Sequence, residues 1–352
     1  MTRSAFRTEP RVGAYLLVFL IVWTGLVACE AEPAPPRPPA NVEGRVLVLN
    51  EGNFRRGNAS LSRYDPASGE AEVRAFPADD AAALDVLQSA TALPDGRLLL
   101  VSNNTNELVL VDADSLRELA RIPAAGSPRY ALPLGTDSVL VTDLYAGVVS
   151  VVALDGGGRR DLGFPGEGAE LLRVGQKIVV AAPEARALIV LDAGANREVD
   201  RIDIDAPVTA LALRRDGLVL AAAGARVNGG RGVVALVAVD DRRLLARRTF
   251  VPGETSFYPR VATGSPVGDL ILQQRLHRIV DSAGTLGASL VDEVSAGPIY
   301  YGLGVDPVAG DLYVADAAGF VEDGRVLRFG ADLTALDTFT AGPLPSGFVF
   351  LP

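Results

Sequence analysis

Cysteine, histidine, methionine, tryptophan and lysine each occur once in the 352 residues. A lone cysteine cannot close an internal disulfide, and a lone histidine cannot build a multi-histidine metal centre. Positive charge is also scarce. The 33 Lys and Arg face 43 Asp and Glu, for a net charge of −10, which argues against a mainly electrostatic grip on nucleic acid or anionic lipid. Much common enzyme chemistry is excluded at once. What is plentiful is apolar: 49% of residues are hydrophobic, accompanied by 37 Gly and 23 Pro. That is too apolar for disorder and ample for one large domain or two ordinary ones.

The amino end reads as an address. Arg3, Arg7 and Arg11 face only Glu9, and Val12 to Ala28 is apolar and uncharged. A basic segment followed by a hydrophobic stretch is a secretory signal. It closes on Leu26-Val27-Ala28-Cys29, which resembles a bacterial lipobox cleaved before the cysteine so that Cys29 receives lipid. The stretch almost reaches bilayer length, so a plain transmembrane anchor is the alternative. Residues 1–28 are thus expected to be a lipoprotein signal peptide. Residues 29–43, with Pro33, Pro35, Pro36, Pro38 and Pro39, are expected to form a polyproline stalk behind the lipidated Cys29. Glu30 and Glu32 resemble the export signal of surface-exposed lipoproteins in some Gram-negative groups.

From residue 44 onward, short β-branched and leucine-rich runs alternate with turn residues, and no long helical pattern appears. A recurrent hairpin turns at Asp65, Asp112, Asp155, Asp192, Asp240, Asp281 and Gly330. Seven tips some 37 to 49 residues apart fit a propeller repeat. A second hairpin precedes each, with tips at Asp95-Gly96, Gly135, Gly175, Asp216-Gly217, Gly268 and Gly310, so one is missing. The chain ends supply it: Gly44–Leu49 reads as a second strand without a first, and Ser346–Leu351 as a first strand without a second. The reading is all-β: residues 44–352 form a seven-bladed β-propeller of four-stranded antiparallel blades. The C-terminal strand joins the N-terminal blade and closes the ring, leaving no exposed sheet edge there. Inner-strand positions are small, at Ala92, Ala131, Ala210, Ala262, Gly302 and Gly347, with Leu171 the departure.

The segments Leu98–Asn104 and Leu108–Asp112 resemble the YVTN-type, surface-layer-like propeller repeat. Val48–Phe54 with Ser62–Pro66 is similar to the opening blade of lipoprotein propellers found beside TonB-dependent transporters. Some of those capture cobalamin at the cell surface and hand it to the outer-membrane vitamin B12 transporter. The resemblance covers residues 44–352 and specifies fold better than ligand. It implies a lipid-anchored outer-membrane protein facing the exterior, partnered by a TonB-dependent transporter, with cobalamin the sharpest candidate ligand.

Catalytic patterns are sparse. His277 stands alone without a nucleophile elbow anywhere in the chain, and reads as a packed or exposed residue at a strand end. Lys177 sits inside a strand run. The Asp65–Glu70 and Asp306–Asp311 segments could recruit calcium but lack the full calcium-loop spacing, so they read as structural turns. Asn58-Ala59-Ser60 and Asn103-Asn104-Thr105 match the glycosylation pattern and read as loop polars. No metal and no cofactor is expected.

What remains is a mouth. Positions just before the small inner-strand residues align as Thr91, Tyr130, Glu170, Thr209, Arg260, Tyr301 and Ser346. Arg129, Tyr258 and Tyr300 flank them. Loops joining second to third strands should emerge at the same end, bringing Asn53, Phe54, Arg56, Asn103, Asn104, Asn106, Tyr145, Gln274 and Phe320. Tyrosines with Arg and Asn suit a large ligand that has apolar faces and peripheral amides or carbonyls. A corrin fits, as does a glycan or a partner's peptide loop. The expected ligand contacts are Tyr130, Tyr301, Arg260, Arg129, Tyr258, Tyr300, Phe54, Asn53, Asn103, Asn104, Tyr145 and Glu170. Two alternatives stand beside this reading: a hydrolase or lactonase built on Glu170 and Asn103, and a structural surface-layer or adhesion protein. A monomer is expected, touching membrane only through its lipid.

Overall fold

The computed structural model describes residues 44–351 apart from 78–82, 125, 226–229, 283, 292–293 and 295–298. The signal peptide, Cys29 and the stalk lie outside the described residues. Seven four-stranded antiparallel sheets form the propeller. Blade 1 runs, in sheet order, through β28 (Pro345–Leu351), β1 (Arg45–Asn50), β2 (Ser60–Tyr64) and β3 (Ala71–Phe76). Blade 2 holds β4 (Leu87–Ala92), β5 (Arg97–Ser102), β6 (Glu107–Asp112) and β7 (Glu118–Pro123). Blade 3 holds β8 (Pro128–Pro133), β9 (Ser138–Asp143), β10 (Val148–Ala153) and β11 (Arg159–Gly163). Blade 4 has β12 (Leu171–Val174), β13 (Lys177–Ala182), β14 (Ala187–Asp192) and β15 (Arg197–Asp203). Blade 5 has β16 (Val208–Leu213), β17 (Val219–Ala223), β18 (Val233–Ala238) and β19 (Arg243–Thr249). Blade 6 is built from β20 (Arg260–Ala262), β21 (Asp269–Leu272), β22 (Leu276–Ser282) and β23 (Thr285–Leu290). Blade 7 is built from β24 (Tyr300–Val305), β25 (Leu312–Asp316), β26 (Asp323–Phe329) and β27 (Ala335–Pro343).

The ring closes as the terminal strands foretold. β28 pairs antiparallel with β1, setting Leu351 opposite Arg45, Phe350 opposite Val46 and Phe348 opposite Val48. Six of the seven expected tips open between third and fourth strands. The exception is Asp281, which lies inside β22; that hairpin turns after Ser282. The tips form because the aspartate caps its own turn. Asp65 Oδ1 accepts from the amides of Ala67 at 2.7 Å and Ser68 at 3.3 Å, and Asp192 Oδ1 from those of Gly194 at 3.0 Å and Ala195 at 2.7 Å.

The apolar core is divided among blade interfaces. Strands buried on both faces, such as β5, β13 and β18, read as continuous Leu, Val and Ala. Their side chains fill seven clusters, each spanning two neighbouring blades. Inner strands approach too closely for large side chains. A Cβ on Gly302 would lie 2.9 Å from Ala315 Cβ and 3.0 Å from the Ser346 carbonyl carbon of the neighbouring blade. Gly302→Val is therefore expected to cost about 1–3 kcal/mol by overpacking, lowering the melting temperature by several degrees. An unchanged melting curve contradicts that crowding. No helix among the described residues is long and apolar enough to cross a membrane.

Candidate functional site

Four inner strands begin with an irregularity that takes one residue out of the ladder. The register slips between Leu87 and Ser89 in β4, Val208 and Ala210 in β16, Tyr300 and Gly302 in β24, and Gly347 and Pro345 in β28. β8 slips similarly between Pro128 and Ala131. A bulge leaves one residue outside the ladder and turns it. The residues so released are Gln88, Thr209, Tyr301 and Ser346, with Arg129 and Tyr130 in β8. Blade 2 thus presents Gln88 where counting from the small residues gave Thr91, and Ala92 ends β4, exposed, instead of packing near the axis.

Two connected hollows result. The axial cavity, about 330 Å³, is walled by Gln88, Thr91, Tyr130, Glu170, Leu171, Arg260, Phe348 and neighbours. Above it the mouth hollow, about 340 Å³, is walled by Glu51, Asn53, Phe54, Gln88, Asn103, Arg129, Tyr145, Tyr258, Arg260, Tyr301 and Phe320. Gln88 and Arg260 belong to both and mark the throat between them. A side hollow of about 390 Å³ shares Tyr258, Tyr301 and Phe320 with the mouth and adds Phe257, Gln273, Gln274 and Tyr300. Each volume falls in the range of small-molecule sites. Phe54 and Tyr145 stand 62% and 81% exposed at the rim.

The arginines are held differently. Arg129 is buried; its Nη1 donates to Glu167 Oε1 at 3.2 Å, and its guanidinium carbon lies 5.6 Å from the Tyr130 ring centroid and 5.7 Å from that of Tyr258. Its Nε is buried with no hydrogen-bond partner among the described residues. Arg260 Nε donates to the Ser346 carbonyl at 3.3 Å, and its guanidinium carbon lies 5.6 Å from the Tyr301 ring. Tyr301 donates its hydroxyl to Glu51 Oε2 at 2.8 Å. Burial, reinforced by Glu51, pushes the Tyr301 phenol well up, and burial with Glu170 does the same for Tyr130. Both phenols stay neutral donors. Glu170 Oε2 accepts the Leu211 amide at 2.7 Å. Burial pushes its carboxyl up toward the neutral form, against the pull of Arg260, that amide and Arg129.

Of the expected contacts, eleven line one of the three hollows. The departure is Asn104, whose Nδ2 donates to Asp85 Oδ2 at 2.7 Å and braces a turn. The other two asparagines line the mouth while their amide nitrogens knit loops. Asn53 Nδ2 donates to the Phe320 carbonyl at 2.5 Å and Asn103 Nδ2 to that of Pro128 at 2.9 Å. Glu170 and Asn103 line different hollows. Glu51 and Glu167 lie in loops where the repeat gives no register, and Gln88 lies at the bulge before Ser89, four residues ahead of the small Ala92 that anchors the count.

The remaining polar singletons are structural. Lys177 Nζ lies 2.9 Å from Asp240 Oδ1, joining blades 4 and 5. His277 is buried, its Nδ1 2.9 Å from the Arg275 carbonyl and its ring edge-on to Phe250 at 5.2 Å. Burial pushes its pKa down, opposed by that carbonyl and by Glu254. The unfolded chain then binds a proton that the folded one refuses. Stability contributed at His277 is present above the ordinary imidazole value of about 6.5 and is lost as pH falls toward the lowered folded value. In melting curves between pH 8 and pH 5, His277→Asn should lose less stability than the parent chain; parallel losses contradict this.

The fold and site define a class: a seven-bladed propeller with a polar, aromatic axial mouth. The chain belongs to the family described as a domain of unknown function, DUF5074, whose model matches residues 44–329. Comparison with curated proteins gives no match. Among solved structures, the periplasmic gluconolactonase of Pseudomonas aeruginosa is similar at TM-score 0.64 and 17% identity, over 88% of this chain and 99% of that one. Hydrazine synthase of Kuenenia stuttgartiensis is similar at 0.62 and 17%, over 73% and 87%. A quinoprotein alcohol dehydrogenase-like protein of Bacteroides thetaiotaomicron is similar at 0.57 and 14%, over 87% and 77%. At such identities the likeness shows the fold alone, and the fold hosts unrelated chemistries.

Proposed function

We propose that this protein is a surface-anchored capture lipoprotein that takes a large ligand at its mouth, cobalamin foremost, and passes it to a TonB-dependent outer-membrane transporter. One observation carries the reading. Arg129, Tyr258, Arg260 and Tyr301 converge on one hollow from rigid inner strands and their entry loops, with the exposed rings of Phe54 and Tyr145 at its rim. Apolar faces for stacking beside fixed donors suit a corrin with amide arms.

Titration of the purified protein with cobalamin tests this. Retained visible absorbance after dialysis and micromolar heats are expected. Phe54→Ala with Tyr145→Ala should weaken binding about tenfold or more without changing the melting temperature, since both rings are exposed. Neither colour nor heat removes the cobalamin reading. A second reading, lactone hydrolysis, is favoured by Glu170, an acid shifted toward neutrality in an axial cavity. It requires turnover of a lactone that Glu170→Gln abolishes.

A further inference from the structure

Arg260 stands at the throat, lining both the axial cavity and the mouth hollow. Among the described residues no carboxylate comes within ion-pair distance of its guanidinium, which instead meets the Ser346 carbonyl and the Tyr301 ring. The acids nearby are engaged elsewhere. Glu167 answers Arg129, Glu51 accepts the Tyr301 hydroxyl, and Glu170 accepts the Leu211 amide. Most other buried or half-buried arginines here do meet a carboxylate, as Arg121 meets Glu107 at 2.9 Å and Arg328 meets Asp311 at 2.6 Å. Glu170 and Glu51 act on Arg260 only at longer range, so its guanidinium keeps room for a directly paired oxyanion, which a half-buried cation favours. Its planar fork matches two oxygens of a carboxylate or phosphate. Neutral donors stand on the same wall: Gln88 Nε2 lies 3.5 Å from the Tyr130 hydroxyl, whose own proton has no acceptor among the described residues. Leu171 and Phe348 supply apolar wall beneath.

We infer that the throat is an oxyanion subsite: the ligand carries one phosphate or carboxylate, which Arg260 grips in fork fashion while Tyr130 and Gln88 donate to it. This rests on the reading of the mouth as a binding site and adds the ligand's charge. Among the described residues Glu170 is the carboxylate lining the axial cavity, and burial, which pushes its carboxyl up, lessens the repulsion an anion would meet there. The anionic group has two sources, the phosphodiester of a nucleotide-bearing corrinoid or the carboxylate of a sugar acid, and the probes separate them.

The test is calorimetry on the full chain with four probes: cobalamin, cobinamide (a corrin lacking the phosphodiester), inorganic phosphate and gluconate. Cobalamin is expected to bind about tenfold or more tightly than cobinamide, the scale of one charged hydrogen-bonded contact. Added salt should weaken cobalamin and leave cobinamide unchanged. Arg260→Gln should erase the difference between the two corrinoids by weakening cobalamin more than cobinamide. If Arg260→Gln does not fold, Arg260→Lys keeps the charge but not the fork, and the preference should still fall. Equal affinity for the two corrinoids, or a preference that survives both variants, overturns the subsite. Should neither corrinoid bind, the cobalamin reading fails by itself. Phosphate or gluconate bound at millimolar concentration and lost in Arg260→Gln then upholds the subsite, and no such binding overturns it.

Discussion

Truncation after Pro343 is expected to abolish cooperative folding, whereas a circular permutant of the propeller is expected to fold. Removing β28 takes Phe348, Val349, Phe350 and Leu351 from two clusters at once. Val349 and Leu351 pack with Leu47, Leu98 and Leu100 at the interface of blades 1 and 2. Phe348 and Phe350 pack with Tyr64 and Tyr313 at the interface of blades 7 and 1. Tyr313 lies 5.7 and 5.4 Å from those two rings. The cut also strips the inner partner from β1 and leaves its unpaired edge as a template for aggregation. With Leu351 opposite Arg45 in the ladder, a short linker can join these ends, and new termini can open in the exposed turn after Asp155. That permutant keeps the pairing of β28 with β1 and should melt cooperatively near the parent temperature. The truncated chain should show no transition and should precipitate. A cooperative melt from the truncated chain contradicts ring closure as the source of stability.

Arg328→Ala should destabilise the same seam by about 3–5 kcal/mol, the range found when one partner of a buried ion pair is removed. Arg328 Nε donates to Asp311 Oδ2 at 2.8 Å, and Nη1 donates to the Tyr64 hydroxyl at 3.3 Å and to the Pro66 carbonyl at 2.9 Å. One side chain of blade 7 thus ties down the turn and core tyrosine of blade 1. Tyr64 in turn donates to Asp337 Oδ2 at 2.8 Å and stacks on Phe339 at 3.9 Å. Burial, with Asp337, pushes the Tyr64 phenol up to about 12 despite Arg328. Removing the guanidinium leaves buried Asp311 without its partner, so Asp311→Asn in the same chain should recover part of the loss. The shift in melting temperature should be on the order of 10 °C. A shift under two degrees shows that Arg328 does not hold the seam.

The fold was legible because blades repeat and Asp opens the turns: counting from Asp65, Asp112, Asp155, Asp192 and Asp240 finds the hairpins that the structure contains. Closure was legible from two orphan strands. The mouth was legible only in outline. In β4 the bulge releases Gln88, just before Ser89, whereas counting back from Ala92 gives Thr91; the sequence does not say which small residue marks the bulge. Asn104 looked like a mouth residue because its loop is one; that its amide turns to Asp85 depends on a segment outside the repeat. Glu167, which pairs with Arg129, lies in the irregular connection between β11 and β12. Periodicity specifies the backbone, whereas charge pairing across blades depends on the loops that break it.

Hydrogen–deuterium exchange of the protein with and without saturating cobalamin tests the central claim most directly. The mouth account predicts slowed exchange in the loops at residues 51–58, 103–106, 144–147 and 254–259 and at the entries to β8 and β24. Exchange at the Asp-opened turns of the opposite face should be unchanged. Protection confined to those turns, or to the outer strands, would contradict it.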